Sequence, residues 1–108
     1  MGELESQNRP GNSYLFRRFL MGLTFEWDGH KASLDVARYG VSFQEALTVF
    51  SDPLKRVFFD EDHSAEEQRE IVIGRSFPDR LLLVCSTARG EWVRIFSTRR
   101  VTKRETRL

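Results

Sequence analysis

The sequence predicts an α+β domain with two helices packed on one face of a curled antiparallel β-sheet, in the order β-α-α-β-β-β-β-(α). Two observations carry this prediction. Ser42 and Glu45 have the S-x-x-E spacing of a helix capping box, and Phe43, Ala46, Leu47 and Phe50 fall at i, i+3, i+4 and i+7 on one helical face. From Val57 onward the pattern changes to β-branched and aromatic runs separated by short turn segments, which is the pattern of a meander. The 108 residues suffice for one such core and not for two, because separately folding domains run to about 100–150 residues each.

Taken in order, Leu23 to Trp27 reads as a short strand, since Phe and Trp suit a half-buried pleated surface. Asp28 offers an N-cap oxygen to a helix over His30 to Tyr39, and Gly40 supplies the left-handed residue that ends it. The capping-box helix follows and stops at Asp52-Pro53, where proline removes a donor and disfavours helical geometry before it. Val57 to Phe59, Arg69 to Ser76, Leu81 to Thr87 and Trp92 to Ser97 are the meander strands. Phe77-Pro78-Asp79-Arg80 and Ala88-Arg89-Gly90-Glu91 form the last two turns. Thr102 is a candidate N-cap for a basic C-terminal helix of a turn or two. Residues 1–20 are polar at first and interrupted by Arg17 and Arg18, without the features of a signal peptide. They are expected to be a flexible N-terminal extension, with residues 21–108 as the folded domain and Met21 as an alternative start.

Composition narrows the function classes. The chain is 40% hydrophobic and 12% aromatic, too rich in apolar residues for a disordered segment. Its longest wholly apolar run, Leu81 to Cys85, is far short of the roughly 20 residues that a membrane-spanning helix needs. A single Cys within that run forms no internal disulfide, and the expected compartment is the cytoplasm. The net charge of +1 conceals an uneven distribution. Asp60 to Glu70 holds six acids against one base, whereas Arg89 to Leu108 holds seven bases against two acids. Guanidinium groups at that density suit phosphate recognition, because the planar fork donates two parallel hydrogen bonds. A solvated charged face is the plainer explanation.

Several stretches together resemble the BrnT family: Phe25-Glu26-Trp27-Asp28 with Lys31, Tyr39-Gly40-Val41-Ser42-Phe43-Gln44-Glu45-Ala46, and Val49-Phe50-Ser51-Asp52-Pro53. Asp62-His63-Ser64, Glu67, Arg69, Ile73-Gly74-Arg75-Ser76 and Arg94-Ile95-Phe96-Ser97-Thr98-Arg99-Arg100 with Glu105 continue the match in order and spacing. The resemblance implies a RelE-like fold and a metal-independent endoribonuclease toxin of a type II toxin-antitoxin pair, with no cofactor. It implies translation inhibition, an RNA substrate and a BrnA-type antitoxin, whose dimerisation would give a heterotetramer. Where many relatives carry Asn and then His, this chain has Asp35 and Tyr39, which leaves the roles of both side chains open.

Cleavage of RNA without a metal needs a base for the ribose 2′-OH, cations for the phosphorane and a proton for the leaving 5′-oxygen. His63 suits either proton step, since imidazole titrates near neutral pH; pairing with its acidic neighbours is the structural alternative. Arg69, Arg94 and Arg99, in or at the ends of predicted strands, are the phosphate candidates. Strand alternation opposes them: Arg94 shares a face with Trp92 and Phe96, and Arg99 points the other way unless the strand bends between them. Lys31 matches a family lysine and adds a cation. Arg100, Lys103 and Arg104 are candidates for RNA binding, and Glu105, matching a family acid, for orienting an arginine. Trp92 and Phe96 are aromatic enough to stack on bases, although core packing is the commoner use of such residues. Two other readings stay open. One is a catalytically degenerate module that binds RNA or a partner protein. The other is a metal-dependent nuclease using Asp60, Asp62, His63 and Glu66, although these lack the spacing of a known cation loop.

Overall fold

The computed structural model describes residues 4–9, 13–63 and 67–107, with the side chains of residues 4–9, 13, 14, 63 and 107 outside the description. The elements follow in chain order as β1 (Leu4–Arg9), β2 (Ser13–Leu20), β3 (Leu23–Asp28), α1 (Gly29–Tyr39), α2 (Phe43–Thr48), β4 (Arg56–Phe59), β5 (Glu70–Arg75), β6 (Leu81–Arg89) and β7 (Trp92–Arg100). Short 3₁₀ turns occupy Val49–Ser51, Glu61–His63 and Glu105–Arg107.

The local signals place the helices as expected. Asp28 accepts from the backbone N–H groups of His30 and Lys31, and Gly40 ends α1 at φ 69° with its N–H on the Val36 carbonyl. Ser42 accepts from the Glu45 N–H and opens α2. The second half of the expected capping box is used elsewhere. The Glu45 carboxylate accepts from Arg80 Nε at 2.9 Å and Ser76 Oγ at 2.7 Å, and pairs with the second arm of Arg80. Those hydrogen bonds, Arg80's first, hold Glu45 below the usual carboxylate range and tie α2 to the β5–β6 turn.

The α+β class and the meander β4-β5-β6-β7 agree with expectation, since each neighbouring pair is antiparallel. The β6–β7 hairpin closes on Gly90-Glu91, with Gly90 at φ 58°, where a side chain would be strained. Three features depart from the predicted order. Among the described residues the sheet has seven strands, in the order β1-β2-β3-β7-β6-β5-β4. It is mixed and not wholly antiparallel, because β3 runs parallel to β7, with Phe25 opposite Val93 and Trp27 opposite Ile95. The first two strands come from residues 1–20, the stretch left out of the predicted fold. Alternation is concealed there because Arg17 and Arg18 sit together, yet Leu15 is buried, Leu20 joins the core and Phe16 stacks on Trp27 at 6.2 Å. The expected C-terminal helix is a single 3₁₀ turn.

The core lies between the sheet and the segment Val41 to Val49. Phe25, Trp27, Val72, Leu82, Val84, Val93 and Ile95 meet Val41, Phe43, Ala46, Leu47 and Val49. Burial of each large side chain is worth about 1.5–3 kcal/mol, and Trp27 meets Phe43 edge to face at 6.3 Å. The opposite face of the sheet carries the charged residues considered next.

Candidate functional site

One device decides which side chains share that face. Along β6 and β7, Cys85 pairs with Ser97 but Ser86 pairs with Ile95, so Phe96 is an extra residue in the ladder, a β-bulge. Val93 and Ile95 point into the core before it and Thr98 after it. Arg94 and Phe96, then Ser97 and Arg99, consequently fall on the open face. The bend that alternation required between Arg94 and Arg99 is this bulge.

A cleft of about 500 Å³ opens around it, with Ile71, Leu83, Cys85 and Phe96 as an apolar floor and Lys31, Arg69, Arg99, Tyr39, Asp60 and Glu105 around them. Three of the predicted cations, Lys31, Arg69 and Arg99, therefore meet from α1, the residue just before β5 and the end of β7. Each is anchored. Arg69 lies over the Phe96 ring at 3.8 Å. Arg99 is gripped by Glu105 through two parallel bonds of 2.7 and 2.6 Å, and it also donates to the Arg100 carbonyl. Lys31 Nζ donates to Asp35 Oδ1 at 2.5 Å.

Asp35 explains how a helix comes to border a sheet face. β3 ends opposite Ile95, leaving the later residues of β7 without a strand neighbour on that side. α1 lies there instead, and Asp35, 1% exposed, accepts the Thr98 N–H at 2.9 Å through its second oxygen. A carboxylate thus satisfies a buried backbone donor and orients a cleft lysine. Lys31, Asp35 and Tyr39 recur every four residues, so one polar stripe of α1 faces the site. Asp35 and Tyr39 are site residues that sequence reasoning did not assign, and Asp60, offered only as part of the alternative cation loop, also lines the cleft. The stripe was the available signal, and a search for apolar faces passes over it.

Glu105 is positioned by its own turn. Thr102 N–H donates to Glu105 Oε1 at 2.9 Å, and Glu105 N–H to Thr102 Oγ1 at 3.3 Å, a reciprocal capping box. Its carboxyl is lowered to about 2, first by the Arg99 bonds and then by Thr102, against an opposing effect of burial. It is therefore ionised at neutral pH and has no proton to give. A depressed pKa contributes stability that is complete above the ordinary value of 4.5 and lost as pH falls towards about 2. In acid unfolding, the advantage of wild type over Glu105→Gln is expected to be constant above pH 4.5 and gone near pH 2. An advantage unchanged across that window would mean that the pair does not form.

The remaining predicted residues lie apart. Arg94 shares the open face but lines a neighbouring pocket, and its Nη1 is 3.3 Å from Glu26. Arg100 falls on the core side of the strand, close enough to Glu45 to help hold that carboxylate ionised. Lys103 and Arg104 are exposed on the C-terminal turn and do not line the cleft. His63 ends the 3₁₀ turn Glu61–His63, three residues beyond Asp60, and its side chain lies outside the description. Glu66, part of the alternative cation loop, also lies outside the described residues. Among the described residues, no helix is long and apolar enough to cross a membrane.

Comparison with known proteins matches residues 27–105 to the family described as ribonuclease toxin, BrnT, of type II toxin-antitoxin system. No curated protein matches the chain. The match includes every residue around the cleft and leaves out β1, β2 and the start of β3. With nearly three quarters of its length covered, the chain belongs to the BrnT family of ribonuclease toxins, which implies an RNA substrate and an antitoxin protein as partner.

Proposed function

We propose that this chain is a RelE-like endoribonuclease toxin that cleaves RNA in the Lys31–Arg69–Arg99 cleft without a metal, arresting translation until a BrnA-type antitoxin neutralises it. The observation that carries the reading is the convergence of three cations from separate elements on one cleft with an apolar floor. In the reaction, the ribose 2′-oxygen bonds to the adjacent phosphorus and the bond from phosphorus to the 5′-oxygen breaks. The 2′-OH proton leaves to a base, and the 5′-oxygen gains a proton. The products are a 2′,3′-cyclic phosphate and a 5′-hydroxyl. Lys31, Arg69 and Arg99 supply the positive charge that the phosphorane requires. Glu105, fixed as a carboxylate, holds the Arg99 fork flat against that position. His63 is our candidate for a proton step, with its place in the turn beyond Asp60 as support.

The test is incubation of the purified full chain with a labelled RNA in excess chelator, beside His63→Ala. Fragments ending in cyclic phosphate, formed in chelator and greatly reduced in His63→Ala, are expected. Loss of wild-type cleavage in chelator would favour a metal-dependent nuclease. RNA binding without any fragment would favour a degenerate binding module.

A further inference from the structure

Beside the cleft, on the same face, is a second pocket of about 200 Å³ lined by Glu26, Glu67, Thr87, Arg89, Trp92 and Arg94. The cleavage reading does not use it. Two arginines and two glutamates cancel, so it is not a phosphate site, and its donors and acceptors are arranged for a neutral polar ligand. Register explains the arrangement: Arg17 of β2 lies opposite Glu26 of β3, Glu26 opposite Arg94 of β7, and Arg94 opposite Thr87 of β6. The row thus runs donor, acceptor, donor from Arg17 through Glu26 to Arg94, and ends at Thr87, whose hydroxyl donates to the Gln68 carbonyl at 2.7 Å. Arg17, which is not part of the pocket wall, lies over the Trp92 ring at 5.2 Å and steadies an indole that is 45% exposed.

The ion pairs in this pocket are loose. Arg94 reaches Glu26 at 3.3 Å, and Glu67 is 3.8 Å from Arg69, beyond hydrogen-bond length. The Glu67 carboxylate and the Arg94 guanidinium, both in the pocket wall, are therefore placed to meet a ligand. Among the RNA bases, guanine alone offers two adjacent donors, N1–H and N2–H, to fit the two oxygens of a carboxylate. It also offers two adjacent acceptors, O6 and N7, to fit a guanidinium fork. An aromatic ring beside both groups completes the usual means of holding an unpaired base.

We propose that this pocket binds a guanine base of the RNA substrate, with Glu67 accepting from its donor edge, Arg94 donating to O6 and N7, and Trp92 stacking. The inference rests on the reading of this chain as an RNA-cleaving enzyme. Arg69 stands between the two sites: it lines the cleft and pairs with Glu67 of the pocket. Arg94 and Phe96 are two residues apart on one strand, about 7 Å, a single-nucleotide step. The guanine therefore neighbours the scissile phosphate.

The experiment titrates the folded full chain with guanosine and adenosine 3′-monophosphates, for wild type, Glu67→Gln and Trp92→Ala, and maps cut sites on a mixed-sequence RNA. Guanosine monophosphate is expected to bind about 10-fold or more tightly than the adenosine form. Glu67→Gln is expected to remove that preference, and Trp92→Ala to weaken both nucleotides. Wild-type cuts are expected to cluster beside guanines. Equal binding of the two nucleotides, or a guanosine preference that survives Glu67→Gln, overturns the proposal. Cleavage indifferent to sequence overturns the pocket and leaves the ribonuclease reading intact. A guanosine preference without any cleavage leaves the pocket and removes that reading.

Discussion

Arg99→Ala is expected to lower RNA cleavage by about 100- to 1,000-fold, the usual effect of removing one preorganised donor from a developing oxyanion. Three features make this residue the most sensitive of the cleft cations. The β7 bulge aims it at the open face, Glu105 fixes both arms of its fork, and it stands beside an apolar floor where charge is poorly screened. Arg99→Lys restores the charge but not the planar pair of donors, so an intermediate rate is expected. Single-turnover cleavage of a labelled RNA measures both. The fold changes little, because the Arg99–Glu105 pair is partly exposed and such pairs contribute about 1 kcal/mol or less. A folded Arg99→Ala protein that cleaves like wild type would remove Arg99 from the site.

Asp35→Ala is expected to have the largest effect on stability, about 3 kcal/mol. The Thr98 N–H would lose its acceptor while still buried, at about 1–3 kcal/mol, and the missing carboxylate would leave a small void. Lys31 adds little to the cost, because its side chain is 41% exposed and water replaces the partner. For a domain of this size such a loss lowers the thermal midpoint by about 15 °C. Asp35→Asn keeps an oxygen for Thr98 and gives up only the ion pair, so a drop of about 1 kcal/mol is expected. Thermal unfolding of the two variants separates the terms. Equal midpoints for Ala and Asn would show that the backbone acceptor is not what Asp35 contributes.

The legible parts of this protein were those encoded within a few residues. Asp28 and Ser42 mark helix starts through their side-chain oxygens, Gly40 and Pro53 mark helix ends through their backbones, and the turns at Phe77 to Arg80 and Gly90 set the meander. Contacts between distant segments were not legible. Nothing in Leu23 to Trp27 announces a parallel partner almost seventy residues later, and the N-terminal strands show their burial only once Trp27 stands beside Phe16. The site divides the same way. Residue types pointed to Lys31, Arg69 and Arg99, which do meet, but alternation set Arg94 and Arg99 on opposite faces until the bulge brought both to the open one, in neighbouring pockets, with Arg100 on the core side. Asp35 was hidden because a buried carboxylate makes sense only when its acceptor role is known, and Thr98 lies sixty-three residues away.

The bulge at Phe96 has a consequence for how this chain can change over time. Side-chain direction along a strand is a matter of odd and even, and the extra residue shifts Arg99 from one class to the other. Loss of one residue at Phe96 would remove the bulge and leave Arg99 opposite Leu83 on the open face, whereas a strand that kept all its residues but paired regularly would send that arginine towards the core. Both molecules would have nearly the same composition and charge. The extra residue is therefore slack that the strand can lose: a deletion of one at Phe96 keeps every later side chain on its present face, whereas a second deletion there would swap the inside of the strand for its outside.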